Sequence, residues 1–380
     1  MLSLHITDDI NQKNLKIRNP GVDIVRLVGM YTVIVNHFIF FGNAYQKYTR
    51  YQKQLLSLHM LSDWANNGFA LLSGIVGYKT NRYSNLLYLW LTVFFYSFGI
   101  HFFLKHFKKN TIIKTDIYKE FFPIIYKRYW YFTSYFGMYL YLPVINKGIS
   151  CLNINEFRLV ILSTLGIFVI WKDLKNPIND VFNMNNGNSM IWILTYYLTG
   201  AYIGKNRYKY SGIKKCIFYV LCIFIYIFPS YLYIKFIINQ QYIASNIFQK
   251  IFINILSKIS INRFDSFLKV SQSAIVCLFF LQINYNKYIS KIVCYLGPLA
   301  FGIYLIHIHP IFLDNYLKHI FDDVPKEISL YSLILILLFK SLKTFIYCIT
   351  IDYIRNKMFS LFRIRILCKF LESKLNKLLY

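Results

Sequence analysis

With 380 residues, 56% of them hydrophobic, 19% aromatic and only 16% charged, the chain departs from soluble globular proteins, in which roughly 25% of residues carry charge. Its 43 Lys and Arg against 16 Asp and Glu give a formal charge of +27. These cations are scattered between apolar blocks and form no sustained stripe along a phosphate backbone, which argues against nucleic acid and for a lipid bilayer as the partner.

In chain order, the polar residues 1–20 read as a cytoplasmic lead-in and residues 22–41 as the first membrane span. Residues 61–78 and 86–104 follow as the second and third. The basic stretch 105–128 ends in an aromatic cluster, Tyr129 to Phe132, that opens a fourth span to about residue 145. Spans five and six, at 157–171 and 190–204, are short for a hydrocarbon layer that takes about 20 residues. Residues 216–234 form the seventh, and 235–268 have the register of an amphipathic helix in the interface. Spans at 270–283, 292–312 and 328–349 complete about ten, and the basic tail, 351–380, reads as a surface helix. The expected fold is therefore all-α, a polytopic helical bundle over residues 21–350 in the cell membrane. An even span count places both termini on one side, and the basic tail assigns that side to the cytoplasm. The seven cysteines, Cys151, Cys216, Cys222, Cys277, Cys294, Cys348 and Cys368, are widely spaced without a CxxC pair and read as apolar packing residues.

Ionisable groups inside spans are costly and are candidates for function. The first block is RNPGVDIVRLVGMYTVIVNHF, residues 18–38. Asp23 and Arg26 share a helical face and can pair. Eleven residues separate Arg26 from His37, about 16 Å of helical rise, so the two lie toward opposite ends of one face. A neutral His37 imidazole is suited to deprotonating a hydroxyl; a headgroup-level role or an interhelical hydrogen bond is the alternative. Asn36, beside it, is not its direct partner in a regular helix. The second block, WANNGFALLSGIVGYKTNR at 64–82, places Ser73 and Gly74 in an apolar helix, where small residues admit a neighbouring helix or a ligand. Lys79 and Arg82 at its edge are either topogenic or contacts for an anionic donor. The ninth block, GPLAFGIYLIHIHPIF at 297–312, puts Tyr304 and His307 on one face, with His309 turned away and Pro310 able to kink the helix. Histidines spaced i, i+2 do not share a face as HExxH does, so no metal site is expected.

These blocks, in this order, resemble the acyltransferase-3 family of membrane-bound O-acyltransferases, in its surface-polysaccharide O-acetyltransferase branch. The resemblance rests on Arg18, Asp23, Arg26, Asn36 and His37, on FALLSGIVGY at 69–78, and on FGIYLIHIHP at 301–310. WYFTSYFGMYLYLPVIN at 130–146 and WILTYYLTGAYIGK at 192–205 extend it over residues 18–350. It implies ten spans, acetyl-CoA or another acyl-CoA bound from the cytoplasm, and transfer to a hydroxyl of a capsular or other exported glycan, free or lipid-linked. By that resemblance His37 and Arg26 are catalytic. Arg26, Ser73, Gly74, Lys79 and Arg82 hold the donor, while Asp23, Asn36, Tyr304 and His307 bind substrate or support the site. Two departures are Ile75 after Ser-Gly, where Tyr or Phe is usual, and Lys79 and Arg82 in place of an Arg-x-x-Arg motif. The competing readings are a glycan transporter or flippase and a non-catalytic membrane protein; a homo-oligomer and glycan-assembly partners stay open.

Overall fold

A computed structural model describes residues 19–107, 116–175, 180–206, 211–233 and 263–379. Almost all of the expected interfacial helix at 235–268, the lead-in before Asn19 and the middle of the basic stretch at 105–128 lie outside the described residues. Helix α1, Pro20–Phe41, begins where its sequence dictates. Asn19 accepts a hydrogen bond from the Gly21 amide at 2.9 Å, Pro20 occupies the first helical position, and Asp23 stands in the first turn. Its 22 residues rise about 33 Å, enough to cross a hydrocarbon core of about 30 Å.

The remaining principal helices are α2 (Gln52–Ser62), α3 (Ala65–Gly77), α4 (Tyr83–Phe107), α5 (Trp130–Leu140), α6 (Leu142–Cys151) and α7 (Ile154–Leu165). They continue with α8 (Met190–Lys205), α9 (Gly212–Tyr233), α10 (Phe267–Gln282), α11 (Lys287–Leu296), α12 (Ala300–His307), α13 (Leu330–Leu361) and α14 (Ile364–Leu379). Five stretches are long and apolar enough to span a membrane: Pro20–Phe41, Tyr83–His106, Ile154–Trp171, Lys287–His307 and Leu330–Leu361. The protein is thus an all-α, multi-pass membrane bundle.

Helix α13 displays the sorting that a bilayer imposes. Leu333, Leu337, Ser341, Thr344, Cys348, Asp352 and Arg355 are buried, spaced three and four apart. Tyr331, Leu335, Phe339, Leu342, Ile346 and Tyr347 form an exposed apolar stripe, the face suited to lipid. Tyr31 of α1 donates to the Leu338 carbonyl, and Tyr51, beyond the end of α1, donates to that of Ile328. The two helices are therefore antiparallel, and the start of α1 lies at the same end of the bundle as the turn from α13 into α14.

Helix α1 packs against α3, α10, α11, α12 and α13, which makes it the bundle's central rod. The most intimate crossing, α3 on α8, depends on glycine. A Cβ on Gly74 would run into the Tyr197 carbonyl, and one on Gly200 into that of Leu71, so the backbones approach as small residues allow. Two boundaries differ from the hydropathy reading. The fifth apolar segment, short at 157–171, is extended at its start to Ile154, where Asn153 and Glu156 form a capping box. The ninth does not run through Pro310 as a kinked helix: α12 stops at His307, and Pro310 opens a separate helix, Pro310–Asn315, capped by the His309 side chain. Proline has no amide hydrogen to continue α12, but its fixed φ suits a first helical position.

Candidate active site

A cavity of about 390 Å³ lies between α1, α3, α4, α5 and α12, with α14 at its edge. Its polar lining comprises Arg26, Asn66, Ser73, Tyr131, Tyr135, Tyr304 and Arg365, set in walls of Met30, Val33, Phe69, Leu72 and Phe301. Arg26, Met30 and Val33 recur on α1 at helical spacing, and His37 is the next member of that stripe, one turn past Val33. Arg26 is held at one end by its own helix, its Nη1 lying 2.9 Å from Asp23 Oδ1. Asp23 is fully buried and fits there because the facing residue is Gly297, whose missing Cβ leaves room for the carboxylate.

At the far end two histidines meet. The Nδ1 of His37 lies 3.0 Å from Nε2 of His307, and Nδ1 of His307 lies 2.7 Å from the Ile303 carbonyl oxygen. A carbonyl only accepts, so His307 carries its hydrogen on Nδ1 and, when neutral, offers the Nε2 lone pair. His37 then donates from Nδ1, which leaves its own Nε2 as an unprotonated base. His307 is fully buried and fixed within α12 by that backbone contact, whereas His37 is only partly buried. Neighbouring α1 and α12 run parallel, so Asp23 meets Gly297 near one end and His37 meets His307 near the other.

Two tyrosines line the cavity next to this pair. The Tyr304 ring is edge-on to His307 at 6.4 Å and lies 6.4 Å from that of Tyr131. The buried Tyr131 hydroxyl has no hydrogen-bond partner among the described residues. The Tyr304 hydroxyl sits beside the Tyr131 and Phe132 amides that open α5, without completing a hydrogen bond. A histidine base beyond Val33 thus stands near the phenols of the cavity lining and the positive end of an 11-residue helix. Such a set suits the removal of a proton from a nucleophile and the stabilisation of an oxyanion.

Of the residues expected from sequence, Arg26, Ser73 and Tyr304 line the cavity. Asp23 supports Arg26, and the His37–His307 pair lies beyond Val33. Ser73 donates to the Phe69 carbonyl at 2.9 Å, so its oxygen retains capacity to accept. The others point elsewhere. Gly74 serves the α8 crossing. Asn36 donates to Asp63 at 2.7 Å, and Asp63 in turn lies 3.3 Å from the fully buried Lys269. Lys79 and Arg82 are exposed outside the cavity, with Lys79 on a separate surface depression beside Lys147 and Lys205. Sequence reading passes over Tyr131, Tyr135 and Arg365. The aromatic cluster marks an interface as readily as a site, and Arg365 is one cation among many in a basic tail.

The family model described as an acyltransferase domain, acyltransferase-3, matches residues 19–352, nearly the whole bundle. The chain belongs to the acyltransferase-3 family. No curated protein and no solved structure matches it. Membership makes this an acyltransferase-type membrane enzyme and implies acyl-CoA-type chemistry in general. The cavity itself has Arg26 and Arg365 among its polar lining and apolar walls of Met30, Val33, Phe69, Leu72 and Phe301. All seven cysteines are free, and among the described residues no group of three His, Cys, Asp or Glu side chains is placed to hold a metal ion.

Proposed function

We propose that this acyltransferase-3 protein is an O-acetyltransferase, moving acetyl from cytoplasmic acetyl-CoA, or the acyl group of another acyl-CoA, to a hydroxyl of an exported or cell-surface glycan. The observation that carries this reading is the His37–His307–Ile303 chain, one turn past Val33 on the helix whose Arg26, Met30 and Val33 line the cavity. The stripe that lines the cavity at Arg26, Met30 and Val33 continues to His37, so a donor entering beside Arg26 would meet an acceptor hydroxyl at the histidine. In this reading the bundle spans the membrane ten times, with both termini in the cytoplasm.

Each residue then has one task. Nε2 of His37 takes the proton of the acceptor hydroxyl as that oxygen bonds to the thioester carbonyl carbon. His307 accepts from Nδ1–H, keeps the ring in the useful tautomer and steadies the imidazolium. Tyr304, Tyr131 and the first amides of α5 stabilise the developing oxyanion. When the carbon–sulfur bond breaks, His37 returns the proton from Nε2 to the departing sulfur. Asp23 holds Arg26 toward the anionic part of the donor, and Ser73 accepts a hydrogen bond from its amide-rich arm. Direct transfer needs no covalent enzyme intermediate.

The test is ester-linked acetate on the host's surface glycans, measured by proton NMR before and after mild base. A deletion strain is complemented with the intact gene or with His37→Ala at equal membrane abundance. Loss of acetate restored only by the intact gene is the expected result. Restoration by the variant would remove His37 from the chemistry. Unchanged acetate with glycan export lost would move the reading to a transporter.

A further inference from the structure

The tail enters the site. Helix α14 packs against α4, with the Cys368 side chain fully buried. The turn into it is made at Phe362–Arg363, where Arg363 takes a left-handed conformation, φ 53°. That conformation is uncommon and unfavourable outside glycine, so the docked helix has to hold it. The first turn of α14 then delivers Arg365 to the cavity that Arg26 lines from α1.

Arg365 is positioned as a ligand-binding residue. Its guanidinium lies over the Tyr88 ring, 4.7 Å from the centroid, a cation–π contact that makes no use of its N–H donors. The ring is itself fixed. The Tyr88 hydroxyl donates to Asn356 Oδ1 at 3.3 Å and accepts from Arg355 Nη1 at 3.1 Å. Arg355 is clamped by two contacts from its Nη2 to the Asp352 carboxylate, at 2.7 and 2.8 Å. Both Arg26 and Arg355 have acidic partners, Asp23 and Asp352. Arg365 has a pre-oriented fork and, among the described residues, no carboxylate at ion-pair distance. A planar cation held rigidly at a cavity edge without a counter-charge is suited to an anion, and its fork matches phosphate.

We propose that Arg365 is a donor-binding residue, which with Arg26 recognises a phosphate of the acyl donor, so that α14 completes the donor site. This rests on the donor reading above and assigns to the tail a cationic role within the cavity, apart from Lys79 and Arg82 outside it. The same phosphate chemistry is offered by lipid headgroups, and the experiment separates the two sources.

The full-length protein in nanodiscs is titrated with acetyl-CoA and with S-acetylpantetheine, which lacks phosphate. Arg365→Gln keeps the aliphatic stem on Tyr88 while removing the charge, and Arg365→Lys keeps the charge without the fork. Charge-assisted bonds are worth about 1.5–3 kcal/mol, roughly ten- to a hundredfold in affinity. The expected result is therefore acetyl-CoA binding weakened about tenfold or more in Arg365→Gln, less in Arg365→Lys. S-acetylpantetheine binding should stay within about twofold, since that probe never meets the guanidinium. The experiment is run in phosphatidylcholine discs and in discs containing phosphatidylglycerol. Unchanged acetyl-CoA affinity in Arg365→Gln overturns the proposal, and a lost dependence on anionic lipid in the same variant would identify a headgroup as the ligand. Failure of the wild-type protein to bind either acetyl-CoA or a longer-chain acyl-CoA would reject the donor reading itself, and this proposal with it. Equal loss of both probes would mark a structural role for Arg365 and overturn the proposal as well.

Discussion

The two histidines depend on each other through the hydrogen each carries. Replacing His307 by Phe leaves His37 in place but frees its ring to flip or change tautomer. The expected outcome is a fall in kcat of roughly ten- to a hundredfold at similar donor KM, whereas His37→Ala removes the base and costs about a hundredfold or more. Both are read from donor-thiol release by purified protein. Tyr304→Phe deletes one hydroxyl and keeps the ring. It should lower kcat about tenfold or more while the donor KM stays near wild type, the pattern of an interaction made in the transition state. Equal losses in kcat and donor affinity would instead give Tyr304 a ground-state role. At this scale the sequence exposes what lies along one helix. Asp23, Arg26 and His37 follow from spacing of three and four, and Asp23 does pair with Arg26. The His37–His307 contact joins residues 270 apart. Each histidine is visible alone, but their meeting depends on the parallel register of α1 and α12, which no local periodicity encodes.

Helix crossings set the tolerance of each element. At α3 and α8 the neighbour of either glycine is backbone, which cannot rotate aside as a side chain would. Gly74→Ala or Gly200→Ala should therefore force the helices apart and destabilise the protein by about 1–3 kcal/mol or more. The check is thermal unfolding in detergent followed by size-exclusion chromatography. Gly148 of α6 is the control: nothing lies within 4 Å of the Cβ that alanine would add. Gly148→Ala should be neutral or stabilising by up to about 1 kcal/mol, since it relieves the entropy cost of helical glycine. The small residues of the Ser-Gly motif are readable from sequence; their division of labour is not. Ser73 and Gly74 are adjacent, yet about 100° apart around α3, so one lines the cavity and the other seats a helix. Polar residues at helix ends escape hydropathy in the same way: Asn153 and Glu156 lie outside the apolar run at 157–171, yet they cap α7.

Across the whole molecule, hydropathy locates the spans because a bilayer imposes a length and an apolar exterior, and five described stretches meet both conditions. Buried polar links then bind distant spans into one arrangement. Tyr96 of α4 donates to Asp352 of α13 at 2.8 Å, Arg355 completes the carboxylate's partners, and Gly302 of α12 leaves space for the Asp352 side chain. Replacing Asp352 by Asn should strand Arg355 and destabilise the bundle by about 3 kcal/mol or more. The double variant Asp352→Asn, Arg355→Met should recover part of that loss, because no unpaired charge remains. Comparing the three unfolding temperatures tests the coupling. None of this could be read from composition, since Asp352 and Arg355 lie where the apolar span gives way to a basic tail and resemble interfacial charges. The docking of that tail is hidden for the same reason: amphipathic periodicity gives α14 an apolar face without naming the surface it covers.

The histidine chain ends on the Ile303 carbonyl, an oxygen that is already a partner in the peptide bond and has no proton of its own to exchange. A chain closed in this way is a cul-de-sac. A hydrogen taken up by His37 has no wire leading onward to bulk water through His307, and must leave by the face at which it arrived. In the proposed transfer, the hydrogen removed from the acceptor is therefore the one that departs on the donor's sulfur. Each turnover resets the site without drawing on the pH of either compartment or on the potential between them.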